Sequence, residues 1–197
     1  MYKGVKVSVT STGIGGAAAA IAIEELIKVG AKNFIRIGTG GMIQTWLPRP
    51  GLLVITGAVR GDGTTREYFP PEYPAIADLD VVEAMLKSAE ELDLEVHTGL
   101  EWSHDSFYAG STLSKLDILE IEKPWIDAGV LIASQEASTV LTLAMARGCR
   151  GGVILASAGC HQFPDKNASP EEMVTAISNA TKIALETAVK LDTLKTS

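Results

Sequence analysis

Two glycine-rich stretches near the start of the chain carry residue types that bind anions. Residues 11–16 read STGIGG and residues 36–41 read RIGTGG, and each follows a short run that reads as a β-strand. Glycines where a strand ends let backbone amides point at a ligand, and the helix predicted after the first stretch adds a dipole that favours negative charge. We therefore predict an anion site where the two stretches meet.

Neither stretch matches a nucleotide-binding fingerprint. The first lacks the third glycine of a dinucleotide site and the acid that should follow it, and neither has the lysine of a phosphate loop. Taken alone, the first stretch is as consistent with a tight structural turn as with a ligand site.

The second stretch is more informative because it begins with an arginine on an apolar strand. An unpaired guanidinium is costly to bury, so Arg36 needs either a bound anion or an internal carboxylate such as Glu24 or Glu25. Thr39 places a hydroxyl beside amides that we expect to be exposed, which favours an oxyanion cradle.

A late loop holds the other candidate for proton chemistry. His161 and Asp165 lie in residues 157–166 and either one is a possible general acid, although a solvated loop histidine is the commoner finding. His97 and His104 stand apart, so we predict no metal site.

Composition limits the class of protein further. The 197 residues are 46% hydrophobic and 21% charged, with a net charge of −7, which is typical of a globular protein and argues against a nucleic-acid partner. No apolar run is long enough for a membrane span, and no signal segment is visible. The two cysteines, Cys149 and Cys160, fit neither a zinc site nor a redox pair, which favours a cytoplasmic setting and no membrane partner.

Strand and helix patterns alternate along the chain. Strands are predicted at residues 5–9, 34–37, 52–59, 95–102, 130–133 and 152–158. Helices are predicted at residues 17–29, 80–92, 116–121 and 136–147, with a last helix that begins at the capping sequence SPEE and ends near residue 191. Residues 60–74 are predicted to form a long loop. The pattern indicates an α/β fold in one domain, residues 1–197: a three-layer sandwich with a mixed, mostly parallel sheet flanked by helices.

Five segments also resemble the nucleoside phosphorylase superfamily, in the same order as in that family. They are STGIGGAAAAIAIEEL, AKNFIRIGTGGMIQ, VRGDGTTREYFPPEYPAIADLD, HDSFYAG and QEASTVLTLAMARG. The resemblance covers nearly the whole chain and is nearest to the uridine phosphorylases. It implies phosphorolysis of a uridine-type nucleoside to the free base and ribose 1-phosphate, with inorganic phosphate as co-substrate and no metal or organic cofactor.

The resemblance also implies a role for individual residues. Arg36 and Glu136 would be catalytic, with the guanidinium on phosphate and the carboxylate on the two ribose hydroxyls. The further assignments are Gly38 and Thr39 to phosphate, Thr39 and Gln135 to ribose, and Gly40, Gly41, Phe107 and Ser111 to the base. Phe107 is equally consistent with a core side chain.

Several positions depart from the family pattern. The family's Glu-Met-Glu reads Ser134-Gln135-Glu136 here, and its signature serine is Ala18. The two positions that read uracil in uridine phosphorylases hold Ser111 and Leu113. The position of the purine-specific aspartate holds Ser157, whose hydroxyl is a poor acid.

The family also has a segment before STGIGG that carries a second phosphate arginine, and this chain starts close to that motif. A shortened paralogue and a misplaced start codon both account for this, and a missing half of the anion cradle predicts slow turnover or none. Two alternatives therefore stay open: a nucleoside hydrolase, and an impaired nucleoside-binding or assembly homologue. By resemblance we also expect a homodimer or hexamer, with Tyr68, Phe69 and Tyr73 suited to an interface.

Overall fold

The computed structural model describes residues 1–111, 114–163, 165 and 167–194. Leu113, one of the two positions expected to read the base, lies outside the described residues. Along the chain the elements are α1 Gly16–Lys28, β1 Asn33–Met42, β2 Leu52–Arg60, α2 Thr64–Tyr68, β3 Ala75–Ile76, α3 Leu79–Glu91, β4 His97–Ser103, α4 Ile118–Asp127, β5 Ile132–Ser134, α5 Ala137–Ala146, β6 Arg150–Cys160 and α6 Pro170–Thr193. Among the described residues, no helix combines the length and apolar character that crossing a bilayer requires.

The strands form one sheet in the order β3-β2-β4-β5-β1-β6. The mixed sheet flanked by helices is confirmed, and most of its paired residues lie in parallel pairings. β1–β6, β2–β4 and β4–β5 are parallel, whereas β1–β5, β2–β3 and β2–β6 are antiparallel. Because β2 pairs with both β4 and β6, the sheet closes on itself through β5 and β1.

The core forms where the central strands are apolar on both faces. Leu53, Val54 and Ile55 of β2 pair with the equally buried centre of β6. Helix α5 is buried along nearly its whole length, as expected of a helix that is apolar all round. Burial of α5 fixes the position of its N-terminus, where Glu136 is the N-cap residue.

Two sequence predictions concerning strands are wrong. Residues 5–9 form no strand: Tyr2 and Val5 make one isolated bridge, and Val9 is 89% exposed. Alternating β-branched residues give strand propensity, but a strand also needs a hydrogen-bonded neighbour. The second difference is in β1, which was predicted to stop at residue 37 and instead runs through the glycines to Met42.

Helix α6 begins as its sequence predicts. Ser169 Oγ accepts a hydrogen bond of 3.2 Å from the Glu172 N–H, and Glu172 Oε2 accepts one of 2.7 Å from the Ser169 N–H, which is a complete capping box. The predicted loop at residues 60–74 contains the short helix α2. The Arg60 guanidinium holds this segment together by donating hydrogen bonds to the carbonyls of four residues, Thr65, Phe69, Pro70 and Tyr73.

Candidate active site

One large cavity contains both glycine-rich stretches. Its volume is about 1760 Å³, and its wall includes residues 5–14, much of β1, the N-cap of α5, the end of β6 and the segment that follows β4. Small-molecule sites usually occupy about 300–1,000 Å³, so the cavity has room for a ligand with two parts.

Arg36 and Glu136 meet in this cavity. Arg36 lies on β1 and Glu136 caps α5, and Arg36 Nη2 forms an ion pair with Glu136 Oε2. Glu136 is 6% exposed, so water screens this pair only weakly. The pair joins the sheet to the helix at the mouth of the predicted anion site.

The first glycine stretch also contacts Glu136. Gly15 has a φ of 97°, which residues with a Cβ rarely adopt, and its N–H donates a 2.7 Å hydrogen bond to Glu136 Oε1. This amide was expected to face a free anion, and it binds a side-chain carboxylate instead. The turn therefore orients Glu136.

Arg36 does have an internal acidic partner, but neither of the two proposed from the sequence. Glu24 pairs with Arg147 at 2.7 Å and Glu25 with Lys28 at 2.7 Å, both away from Arg36. Arg36 Nη1 is buried with no hydrogen-bond partner in the described part of the chain. Nη2 of the guanidinium is thus held by Glu136, whereas the hydrogen-bonding capacity of the buried Nη1 is unused within the described residues.

The second glycine stretch works as a strand that allows close packing, not as a turn with exposed amides. A Cβ at Gly38 would lie 2.5 Å from Arg36 Nη1, and one at Gly40 would lie 2.5 Å from the carbonyl oxygen of Ala133. Amides of this stretch are used in pairing with β6, with a register shift between Gly40 and Gly41. Thr39 lines the cavity, as do all three glycines.

The other residues assigned to ligand contacts are only partly brought together. Gln135 and Phe107 line the cavity, and Phe107 is 61% exposed, which argues against a core role. Ser111 lies in a turn, with its N–H bonded to the Tyr108 carbonyl, and is not among the lining residues. Ser157 Oγ is used in the sheet, accepting from Gly51 N–H at 2.7 Å and donating to the Pro48 carbonyl at 2.9 Å.

A buried acid behind Arg36 was missed by the sequence reasoning. Glu101 on β4 is fully buried and accepts hydrogen bonds from Ser134 Oγ at 2.6 Å and Ser103 Oγ at 2.8 Å. Burial raises the pKa of Glu101 to about 7, although both hydroxyls and the charge of Arg36 act to lower it. The only signal in the sequence was an acid between Leu100 and Trp102 on an apolar strand.

His161 has a defined partner, which the sequence did not show. His161 Nδ1 lies 2.7 Å from Glu122 Oε1 on α4, and both residues line the cavity. Asp165 is exposed and does not line the cavity. Among the described residues, no group of three or more His, Cys, Asp or Glu side chains is arranged to hold a metal ion.

Comparison with known proteins identifies the family of the chain. The family model described as Phosphorylase superfamily matches residues 1–190. A uridine phosphorylase of Thermococcus kodakarensis is 40% identical over 197 residues, covering 94% of this chain and 69% of the relative. A guanosine phosphorylase of Halorubrum lacusprofundi is 40% identical over 153 residues, covering 78% and 61%. A uridine phosphorylase of Escherichia coli is 34% identical over 195 residues, covering 95% and 77%.

The match over almost the whole chain, together with the mixed sheet flanked by helices, shows the family. The chain belongs to the phosphorylase superfamily.

Proposed function

We propose that the protein catalyses phosphorolysis of a nucleoside, giving the free base and a pentose 1-phosphate. Relatives at 34–40% identity are uridine phosphorylases, and one at 40% is a guanosine phosphorylase. A uridine-type nucleoside is therefore the first substrate to test, with guanosine as the second. The co-substrate is inorganic phosphate, and the reaction uses no organic cofactor.

The observation that carries this proposal is the difference between the two terminal nitrogens of Arg36, one paired and one unpaired among the described residues. Nη2 is held by Glu136, while Nη1 is buried beside Gly38 and has no hydrogen-bond partner among the residues that the structure describes. A buried donor left unpaired is costly, and a phosphate oxygen would satisfy it with a charge-assisted hydrogen bond. Thr39 follows Gly38 directly on β1 and lines the cavity, so its Oγ1 supplies a second donor for the phosphate or the ribose.

Glu136 suits the sugar. Its two oxygens each accept one bond in the structure, from Gly15 and Arg36, and a carboxylate oxygen has two lone pairs. The remaining lone pairs can accept from neighbouring ribose hydroxyls, with Gln135 next to them. Contact of Glu136 with both the sugar and the arginine would place phosphate directly against the anomeric carbon.

Catalysis then follows from position and charge. As the glycosidic bond lengthens, positive charge develops on the sugar, and the phosphate held by Arg36 stabilises that charge and attacks the anomeric carbon. Phe107, Gly40 and Gly41 would line the base, and the space beside the Cα of Gly41 is open. In this arrangement Arg36 and Glu136 are the catalytic residues.

We also propose that the chain is a single-domain, cytoplasmic protein that assembles as a homodimer or hexamer. Phe69 and Tyr73 stack at 4.4 Å between ring centroids, and Tyr68 beside them is 37% exposed, so this segment offers an aromatic surface for a second copy. Light scattering coupled to size-exclusion chromatography tests it, since a monomer at micromolar concentration contradicts the proposal.

The reaction is tested by following base release from uridine and from guanosine by ultraviolet absorbance while phosphate is varied. Phosphorolysis predicts a rate that rises with phosphate, saturates and is absent without it. Base release that does not depend on phosphate would identify a nucleoside hydrolase. Calorimetric nucleoside binding with no base released would identify a binding homologue.

A further inference from the structure

A second pair of charged side chains lies in the cavity, apart from Arg36 and Glu136. His161 follows the end of β6, and Glu122 lies on α4 with 2% of its surface exposed. Their 2.7 Å contact joins His161 Nδ1 to Glu122 Oε1. His104, Phe107, Gly110 and Ile118 line the same cavity, so the pair and the residue proposed to line the base face one common space.

The contact with Glu122 determines which nitrogen of His161 is available. Nδ1 is occupied by the carboxylate, which leaves Nε2 to act on a ligand. A Cβ at Gly110 would lie 2.8 Å from Nε2, so the absence of a side chain there keeps space at that nitrogen. The His161 side chain is 45% exposed, so it is open to the cavity, whereas its carboxylate partner is not.

The two histidines in this region have opposite protonation preferences. The hydrogen bond that His161 Nδ1 donates to Glu122 raises the pKa of His161, against the effect of burial. Burial lowers the pKa of His104, with smaller opposite effects from the charges of Glu122 and Asp105 and a further lowering by His161. Near neutral pH, His161 is thus the better proton donor and His104 the better acceptor.

We propose that His161 is a catalytic residue of the phosphorolysis, donating a proton from Nε2 to the departing base, with Glu122 as its positioning residue. This assignment rests on the proposed function and adds to it the general acid that protonates the departing base. It also defines the substrate class as nucleosides whose base presents a ring nitrogen or carbonyl oxygen to Nε2.

The step balances without any other reactant. The bond from the anomeric carbon to the base nitrogen breaks, and its electron pair goes to the base, which takes the proton from His161 Nε2. A phosphate oxygen forms the new bond to the anomeric carbon. Phosphate loses its own proton in forming the ester, and through solvent that proton restores the imidazolium of His161.

The first experiment compares His161→Gln with wild type on two nucleosides that differ in leaving group, uridine and 5-fluorouridine. A general acid contributes about 100-fold or more to rate, so kcat for uridine should fall by about 100-fold. The fall should be smaller for 5-fluorouridine, whose base leaves more readily as an anion. An equal fall for both substrates, or no fall, overturns the assignment. His97→Gln, the same change at a histidine outside this cavity, is the matched control and should leave both rates unchanged.

The pH profile separates positioning by Glu122 from a purely structural role. Activity that needs the His161 imidazolium is lost as pH rises through its pKa. Glu122→Gln removes the cause of the raised pKa, so the alkaline limb of kcat/KM should move to lower pH. A uniform loss of rate with an unmoved limb contradicts the positioning role.

A measurement without turnover keeps this inference distinct from the proposed function. In protein labelled with ¹⁵N-histidine, the His161 imidazole signals are assigned by their loss in His161→Gln, and uracil is then titrated in. We expect the His161 signals to shift and saturate while those of His97 stay fixed. If this shift occurs but no phosphate-dependent base release is found, the base site stands and phosphorolysis fails. If uracil leaves the His161 signals unmoved, the proposal is overturned whatever the activity.

Discussion

At the scale of single residues, the site depends on one guanidinium, with Nη2 paired to a carboxylate and Nη1 buried beside Gly38. Arg36 was identified from the sequence because an arginine on an apolar strand needs an acceptor, and Glu136 because of the family resemblance. The structure brings the two together. Glu101 and Glu122 could not be found in the same way, because nothing local in the sequence states that an acid is buried or which histidine it will meet.

Replacing Arg36 by glutamine should greatly reduce the catalytic efficiency with which the protein uses phosphate. Glutamine keeps a hydrogen-bond donor but loses the positive charge and the paired N–H groups of the guanidinium. Removing a preorganised donor that faces developing charge lowers the rate by about 100–1,000-fold. We expect kcat/KM for phosphate to fall by that factor in steady-state assays. Arg147→Gln, which breaks the exposed pair with Glu24, is the control and should stay within about twofold of wild type. Equal losses in both variants would contradict the role of Arg36.

Glu101 predicts how stability depends on pH. Its pKa in the folded protein is about 7, above the usual value of 4.5, so the folded state binds the proton more tightly than the unfolded state does. The stabilising effect of that proton is complete below pH 4.5 and is lost as pH rises through about 7.

Glu101→Gln removes this titration while keeping an acceptor for the two serine hydroxyls. The free energy of unfolding of the variant, relative to wild type, should therefore increase between pH 5 and pH 8, by on the order of 3 kcal/mol. Urea unfolding at several pH values measures it. A constant difference between the two proteins across this range would show that Glu101 is ionised throughout.

At the scale of elements, β1 shows why glycines can mislead a reading of sequence. Gly38, Gly40 and Gly41 were interpreted as a turn, since glycine marks turns more often than strands. The structure continues the strand through them, and the missing side chains make room for the Arg36 guanidinium and for β5. The segments that pack closely against these glycines include ones distant in sequence, so local residue propensity does not predict the close packing.

Gly38→Ala should therefore affect the reaction more than the fold. The new Cβ would lie 2.5 Å from Arg36 Nη1, so the contact is relieved by a shift of the guanidinium beside Glu136 and not by movement of the β1 backbone. We expect KM for phosphate to rise while Tm changes little. Gly151→Ala is the opposite case, because its Cβ would lie 2.7 Å from the Ala144 Cβ in the core. It should lower Tm and leave KM unchanged, and the reverse pattern in the two variants would contradict this account of β1.

The capping box of α6 was predicted from four residues and is present. Ser169→Ala removes the hydrogen bond to the Glu172 N–H, and loss of such a cap costs about 1 kcal/mol. Ser169→Gly should cost only about 0.3 kcal/mol, because glycine tolerates the N-cap conformation. Chemical denaturation of the three proteins provides the comparison, and equal stability of Ser169→Ala and wild type would show that the box is not formed in solution.

At the scale of the whole molecule, fold class was accessible from the sequence but strand pairing was not. Alternating strands and helices gave the α/β class, and the apolar centres of β2 and β6 gave the core. The antiparallel β2–β6 pairing that closes the sheet joins residues about a hundred positions apart, and nothing in either strand specifies that direction. The same limit explains the wrong strand prediction at residues 5–9, which have strand propensity but pair with no neighbouring strand among the described residues.

The proposed reaction forms one phosphorylated product. Phosphorus-31 NMR of the protein incubated with uridine and phosphate should show a new phosphate monoester signal, a pentose 1-phosphate, growing in equal amount with free uracil. Free uracil that appears with no new phosphorus signal would contradict the central claim that Arg36 delivers phosphate to the sugar that Glu136 holds.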